Sequence, residues 1–182
     1  MKKPLEMAHD FLAQVITKDD VVVDATMGNG HDTLFLAKLA KQVYAFDIQE
    51  QALEKTSQRL QEIGLTNVKL LLQGHENVDQ FATEVKAAIF NLGYLPTADK
   101  SIITKPHTTI EALEKLCQML VKGGRIAIMI YYGHEGGDIE RDAVMDYVSQ
   151  LPQQEYTATI YRTLNQINNP PFLVMIEKLE RY

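Results

Sequence analysis

The chain holds no tryptophan and a single cysteine, Cys117. One thiol builds neither a disulfide framework nor a cysteine-based metal cluster, and no metal site is expected. Positive charge is also scarce. The 18 Lys and Arg are outnumbered by 24 Asp and Glu, for a formal net charge of -6. No global positive field therefore draws the chain to nucleic acid or an anionic membrane, and a nucleic-acid partner would have to meet a local basic patch. No apolar run approaches membrane-spanning length, and Met1-Lys2-Lys3-Pro4 leads into an amphipathic pattern instead of a signal-peptide core. A cytoplasmic protein with no membrane partner is the expectation. Two phosphate-binding signatures are missing as well, G-x-G-x-x-G and G-x-x-x-x-G-K-[ST], so a dinucleotide or a nucleoside triphosphate is poorly served.

What is present is ordinary for a globular protein: 182 residues, 46% hydrophobic and 23% charged. That length fits one domain over residues 1–182 with a proper core. The organising stretch is Val21-Val22-Val23-Asp24-Ala25-Thr26-Met27-Gly28-Asn29-Gly30-His31-Asp32-Thr33. Its β-branched run predicts a strand buried on both faces. A Gly-Asn-Gly turn follows, then a helix over Thr33–Leu39, and glycines at such a turn let the backbone approach a ligand closely. The next strand, Gln42–Phe46, ends in Asp47, about 20 residues after the turn begins, where an acidic residue accepts ribose hydroxyls. Asp24, at its own strand end, would repel phosphate and hold an amino group. A ligand with a ribose and an ammonium but no phosphate satisfies both aspartates. S-adenosylmethionine is such a ligand.

The remaining chain reads as further β-α units. Leu5, Ala8, Leu12, Val15 and Ile16 recur at helical spacing, giving a leading helix within residues 1–16, over 4–16. His9 within it reads as a surface or satisfied core residue. A helix over Gln51–Ile63 stops at Gly64, and the third strand, Val68–Leu72, runs into Gln73-Gly74-His75-Glu76. Val85–Phe90 forms a fourth strand leading into Asn91-Leu92-Gly93-Tyr94-Leu95-Pro96. Thr108-Thr109-Ile110-Glu111 matches a capping box that opens a helix ended by Lys122-Gly123-Gly124. Arg125–Ile130 is the fifth strand, Tyr131–Gly137 a polar turn and Asp138–Ser149 a helix. Glu155–Arg162 and Phe172–Leu179 have no helix between them and should pair as an antiparallel hairpin. The sum is an α/β fold: a seven-stranded, mostly parallel sheet with a C-terminal antiparallel hairpin and helices on both faces.

In open α/β sheets the ligand lies beyond the carboxyl ends of the parallel strands. That rule gathers 24–32, Asp47, Gly74-His75, 91–96, 131–137 and 165–171 on one edge. The arrangement resembles the Rossmann-like class I methyltransferases over essentially the whole chain. The stretches DATMGNGHDTLFLA, QGHENVD, NLGYLP and YYGHEGG look more narrowly like a small bacterial family labelled rRNA methylases. That family includes the enzyme acting on 5-aminomethyl-2-thiouridine at the tRNA wobble position.

The resemblance implies roles. Gly28, Asn29, Gly30 and Asp32 would cradle the methionine part of S-adenosylmethionine, with Asp24, Thr26 and Asn91 completing that side. Asp47 and Gln49 would hold the ribose, while His75 and the Gly74 backbone would border the adenine. NLGYLP resembles the N-P-P-Y loop of amino-group methyltransferases, without its double proline, and marks Asn91 and Tyr94 as the catalytic pair. Tyr94 and Tyr131 would stack on an unpaired base, with Asn168 and Asn169 beside the substrate. Lys100, Lys105, His107 and Arg162 are candidates for phosphate contacts. The implied partner is a tRNA anticodon loop and the implied chemistry N-methylation. An rRNA, a small amine, or cofactor and RNA binding without turnover are the alternatives, and a homodimer is left open. No general base is legible, and Cys117, mid-helix, is not placed as the nucleophile of C5-pyrimidine methylation.

Overall fold

The structure, a computed structural model, describes residues 1–93 and 105–180. The strands are β1 (Val21–Asp24), β2 (Gln42–Asp47), β3 (Val68–Leu72), β4 (Val85–Leu92), β5 (Leu120–Ile130), β6 (Tyr156–Tyr161) and β7 (Phe172–Lys178). They form one sheet in the order β3-β2-β1-β4-β5-β7-β6. The first five are parallel, and β7 runs antiparallel to both β5 and β6. The carboxyl ends of β1 to β6 therefore share one edge. The chain reverses its direction of travel across the sheet between β3 and β4, so β1 and β4 flank the switch point where such sheets open a crevice.

Strand alternation divides the interior into two layers. On one face Val22, Ala45, Ala87, Ile89, Ala127 and Met129 pack against α1 (Pro4–Ala13), α2 (His31–Leu39) and Leu60 of α3 (Glu50–Glu62). On the other, Val23, Phe46, Phe90, Ile126, Ile128 and Val174 pack against α4 (Pro106–Met119) and α5 (Gly137–Ser149). Each buried aliphatic side chain contributes about 1.5–3 kcal/mol relative to exposure, so both layers are needed to hold the edge in place. Among the described residues, no helix is long and apolar enough to cross a membrane.

Besides shifts of one or two residues at other element ends, four details differ from the sequence reading. The leading helix ends at Ala13, three residues early, because Arg125 of β5 takes over its end. The Arg125 guanidinium donates to the Phe11 carbonyl at 2.7 Å, to Gln14 Oε1 at 2.8 Å and to Glu177 at 2.6 Å. The capping box at Thr108 is not used. The fourth helix starts two residues earlier at Pro106, whose fixed φ suits a first helical position, and the Thr108 hydroxyl donates back to the Lys105 carbonyl. Lys122-Gly123-Gly124 lies inside β5, where the β4–β5 register shifts. Gly123 has φ +75°, and a Cβ on Gly124 would press on the Val121 and Lys86 carbonyls. Finally, β4 continues through Asn91 and Leu92, so Asn91 is a strand residue paired with Met129.

Candidate active site

The Gly-Asn-Gly turn is tied to both neighbouring strands. Ala25 N donates to the Ile89 carbonyl of β4 at 2.9 Å, and Met27 N to the Phe46 carbonyl of β2 at 2.8 Å. Gly28 and Gly30 have φ of +53° and +85°, a region glycine enters without strain. A Cβ at Gly30 would also run into the Thr56 side chain of α3. Sequence forms this turn because only glycine both takes the backbone angle and clears the helix behind it.

Three carboxylates surround the turn. Asp47 Oδ2 accepts from Gly28 N at 3.0 Å and Oδ1 from Gln49 N at 2.9 Å, while the side chain stays half-buried at the strand end. Asp24 is wholly enclosed. Its oxygens accept from Thr26 N at 3.2 Å and from the Thr33 hydroxyl at 2.6 Å, joining β1 to the first turn of α2. Burial, then the neighbouring Asp32 carboxylate, pushes the Asp24 carboxyl up to about 7. Asp32 is 7% exposed, at the start of α2. Its Oδ2 accepts from Asn91 Nδ2 at 2.5 Å, and Asn91 N donates to the Thr26 hydroxyl at 2.7 Å. Asn91 is thus held from two sides, across the switch point.

This donor set suits a cationic ligand with a diol. The acidic oxygens of Asp24, Asp32 and Asp47 border a glycine turn, and in the hydrogen bonds above no cation accompanies them. Among the described residues, no cluster of His, Cys, Asp and Glu is arranged for a metal ion.

His75 is 6% exposed, at the head of a 3-10 helix (His75–Gln80). Its Nδ1 is 2.9 Å from the Ala25 carbonyl, which requires an Nδ1–H donor, and its ring meets Phe90 edge-on. Burial lowers its pKa, so the ring is neutral. The residue is a buried wall beneath the first turn, not a solvent-facing turn histidine. Glu76, which the sequence reading passed over, folds its carboxylate against Gly74, where a Cβ would collide with it. Lys115 of α4 anchors this segment, donating to the Glu76 carbonyl at 2.6 Å and to Asp79 at 3.1 Å.

On the acceptor side, Tyr131 N extends the β4 ladder by donating to the Leu92 carbonyl, and the ring packs half-buried against the α1–α2 layer. Asn168 has φ +70°, and both Asn168 and Asn169 are exposed. Asn169 lies against Gly133, so the hairpin loop and the turn after β5 do meet. His134, another residue unforeseen from sequence, fits its ring against Gly93 and Gly137, where a side chain on either glycine would strike it. Lys105, His107 and Arg162 are exposed. Tyr94 and Lys100 lie outside the described residues.

Comparison with known proteins finds relatives along most of the chain. The family described as “Putative rRNA methylase” matches residues 43–177. A “tRNA (mnm(5)s(2)U34)-methyltransferase, chloroplastic” of Arabidopsis thaliana is 38% identical over 97% of this chain and 70% of its own length. Among solved structures, a “putative methyltransferase” of Streptococcus mutans in complex with SAH superposes with a TM-score of 0.94. It is 56% identical, with 98% of this chain and 99% of that one covered. A “putative rRNA-methylase” of Clostridium thermocellum gives a TM-score of 0.95 at 42% identity, covering 98% and 99%. With the family match running over most of its length and the fold shared with these solved structures, the chain belongs to this rRNA methylase family.

Proposed function

We propose that the protein transfers a methyl group from S-adenosylmethionine to the nitrogen of 5-aminomethyl-2-thiouridine at the tRNA wobble position. The broader activity, S-adenosylmethionine-dependent methyl transfer of the rRNA and tRNA methylase type, follows from the family. The observation carrying the narrower reading is the hydrogen bond from Asn91 Nδ2 to Asp32. A carboxylate only accepts, so the amide nitrogen must face Asp32, which leaves the Asn91 oxygen to receive an N–H. That favours an amine acceptor. The 38% identical plant relative supports the same choice of substrate.

S-adenosylmethionine supplies a methyl group already activated on sulfonium sulfur, so the chain's task is alignment. In this reading Asp47 and Gln49 hold the ribose. Gly28, Asn29, Gly30, Thr26 and the Asp24–Asp32 pair face the amino-acid end, and Gly74 and His75 border the adenine. The acceptor nitrogen must react as a free amine, and a model alkylamine titrates at about 10.4, so the site has to disfavour its charged form by desolvation. Asn91 accepts a hydrogen bond from that nitrogen and cannot remove a proton. Tyr94 and Tyr131 stack on the base, and Asn168 and Asn169 border it. An anticodon loop already presents unpaired bases, which suits recognition at the mouth of a single crevice. If Lys100, Lys105, His107 and Arg162 are the groups that meet phosphates, binding should depend shallowly on salt.

The test is nucleoside mass spectrometry of tRNA from a deletion strain, paired with methyl transfer by the purified protein to that tRNA. Accumulated aminomethyl-thiouridine, converted by the protein, supports the reading. An unchanged wobble profile overturns it. Because the family description names rRNA, rRNA from the same strain is assayed alongside, and transfer to it alone would move the acceptor there. Cofactor binding with no turnover on any pool would favour a non-catalytic module.

A further inference from the structure

We propose that His9 of the leading helix is a positioning residue for methyl transfer, acting on Asn91 through Asp32. The inference rests on the reading of Asn91 as the group that orients the acceptor nitrogen, and extends it to a helix that the sequence alone gave no part in the chemistry.

Asp32 has two oxygens, and each is committed. Oδ2 accepts from Asn91 Nδ2 and Oδ1 lies 2.5 Å from His9 Nε2. A carboxylate 7% exposed has little water to replace a lost partner, so its rotation is set by these two groups. Turn the carboxylate and the Asn91 amide loses the acceptor that decides which of its ends faces the site. His9 is in turn fixed by more than its hydrogen bond. Its ring stacks on Phe35 at 3.9 Å between centroids, with the planes 6° apart. Phe35 lies one turn after Asp32 on α2, so one imidazole grips that helix at two points.

The support continues outward. Arg125 donates to the Phe11 carbonyl and to Gln14, and its guanidinium lies 4.5 Å from the Phe11 ring centre, which seats the helix bearing His9 on β5. The series Arg125, α1, His9, Asp32, Asn91 thus runs from the sheet to the acceptor side of the crevice. His9 itself is 26% exposed on its side chain, and its hydrogen bond goes to Asp32 and not to Asn91. It supports the group that holds Asn91.

Two variants separate the hydrogen bond from the packing. His9→Phe keeps an aromatic ring to stack on Phe35 and removes the donor, whereas His9→Gln keeps a donor for Asp32 and removes the ring. Each is read by turnover on tRNA from the deletion strain, by calorimetric cofactor binding, and by the side-chain amide NMR signals of Asn91 in the SAH-bound protein. His9→Phe should shift and broaden those amide signals and lower kcat by about 10- to 100-fold with cofactor affinity nearly unchanged. His9→Gln should retain most of kcat and leave the signals in place. Unmoved Asn91 signals in His9→Phe would overturn the proposal. So would parallel losses of kcat, affinity and melting temperature in both variants, since that pattern belongs to a residue that merely holds the fold. Should the wild-type protein be silent on that tRNA, the acceptor assignment fails, and the amide signals still decide whether His9 positions Asn91.

Discussion

Asn91 Nδ2 and Asp32 Oδ2 are 2.5 Å apart although 59 residues separate them in sequence. The contact joins the end of β4 to the first turn of α2, on the other side of the switch point. It turns a flexible amide into one with a defined direction.

Removing that amide should damage chemistry more than donor binding. Asn91→Ala is expected to lower kcat by about 100-fold while the dissociation constant for S-adenosylmethionine changes little. Steady-state kinetics with parallel calorimetry measures both. A large loss of affinity with kcat intact would reverse the assignment.

Asp47 should behave in the opposite way. Its two oxygens hold Gly28 N and Gln49 N, and in the proposed complex they also face the ribose. Hydrogen bonds to a charged group contribute about 1.5–3 kcal/mol, so Asp47→Ala should weaken donor binding roughly 10- to 100-fold. At saturating donor, kcat should be largely retained.

The buried Asp24 predicts a pH signature. Its carboxyl is raised from 3.8 to about 7, by burial first and Asp32 second. Between those values the folded protein keeps this proton while the unfolded chain has released it. The stability drawn from the neutral form is complete below about pH 4 and is lost as pH rises towards 7. Asp24→Asn is neutral throughout. The melting temperature of the variant relative to wild type should therefore climb across this window and level off above it. A difference independent of pH would contradict the assignment.

Cys117 should be inert. It is 3% exposed on the sheet-facing side of α4, and burial pushes its thiol up to about 11. Thiolate is the reactive form, so iodoacetamide at pH 8 should label the native protein only as fast as it opens. Cys117→Ala should cost about 1 kcal/mol of stability and leave kcat unchanged. Abolished turnover in a folded variant would point to cysteine chemistry.

Much of this arrangement was readable from local pattern. The Val21–Val23 run, the glycine turn and the apolar stretches of β2 to β5 each carry their periodicity in a few residues, and the absence of a helix between β6 and β7 announced the hairpin. What escaped depended on distant partners. Thr108 matches a capping box, yet Pro106 two residues earlier takes the helix start. Gly123-Gly124 looks like a helix stop, and only the neighbouring strand β4 makes it a strand irregularity. His75 gave no sign that it would turn inward to the Ala25 carbonyl. The part of His9 could not be read from a helix whose other members point to packing, because Asp32 lies 23 residues away.

The reversal between β3 and β4 has a consequence for how such a protein can change. A crevice at a switch point such as that between β1 and β4 comes with the threading of the backbone and does not depend on any one side chain. In the proposed complex its two banks belong to different parts of the chain: residues 24–49 with Gly74 and His75 on the donor's side, the ends of β4, β5 and β6 on the other. Mutation can therefore reshape what approaches from the second bank while the first is inherited intact, and a new target molecule need not disturb the methyl donor's seat.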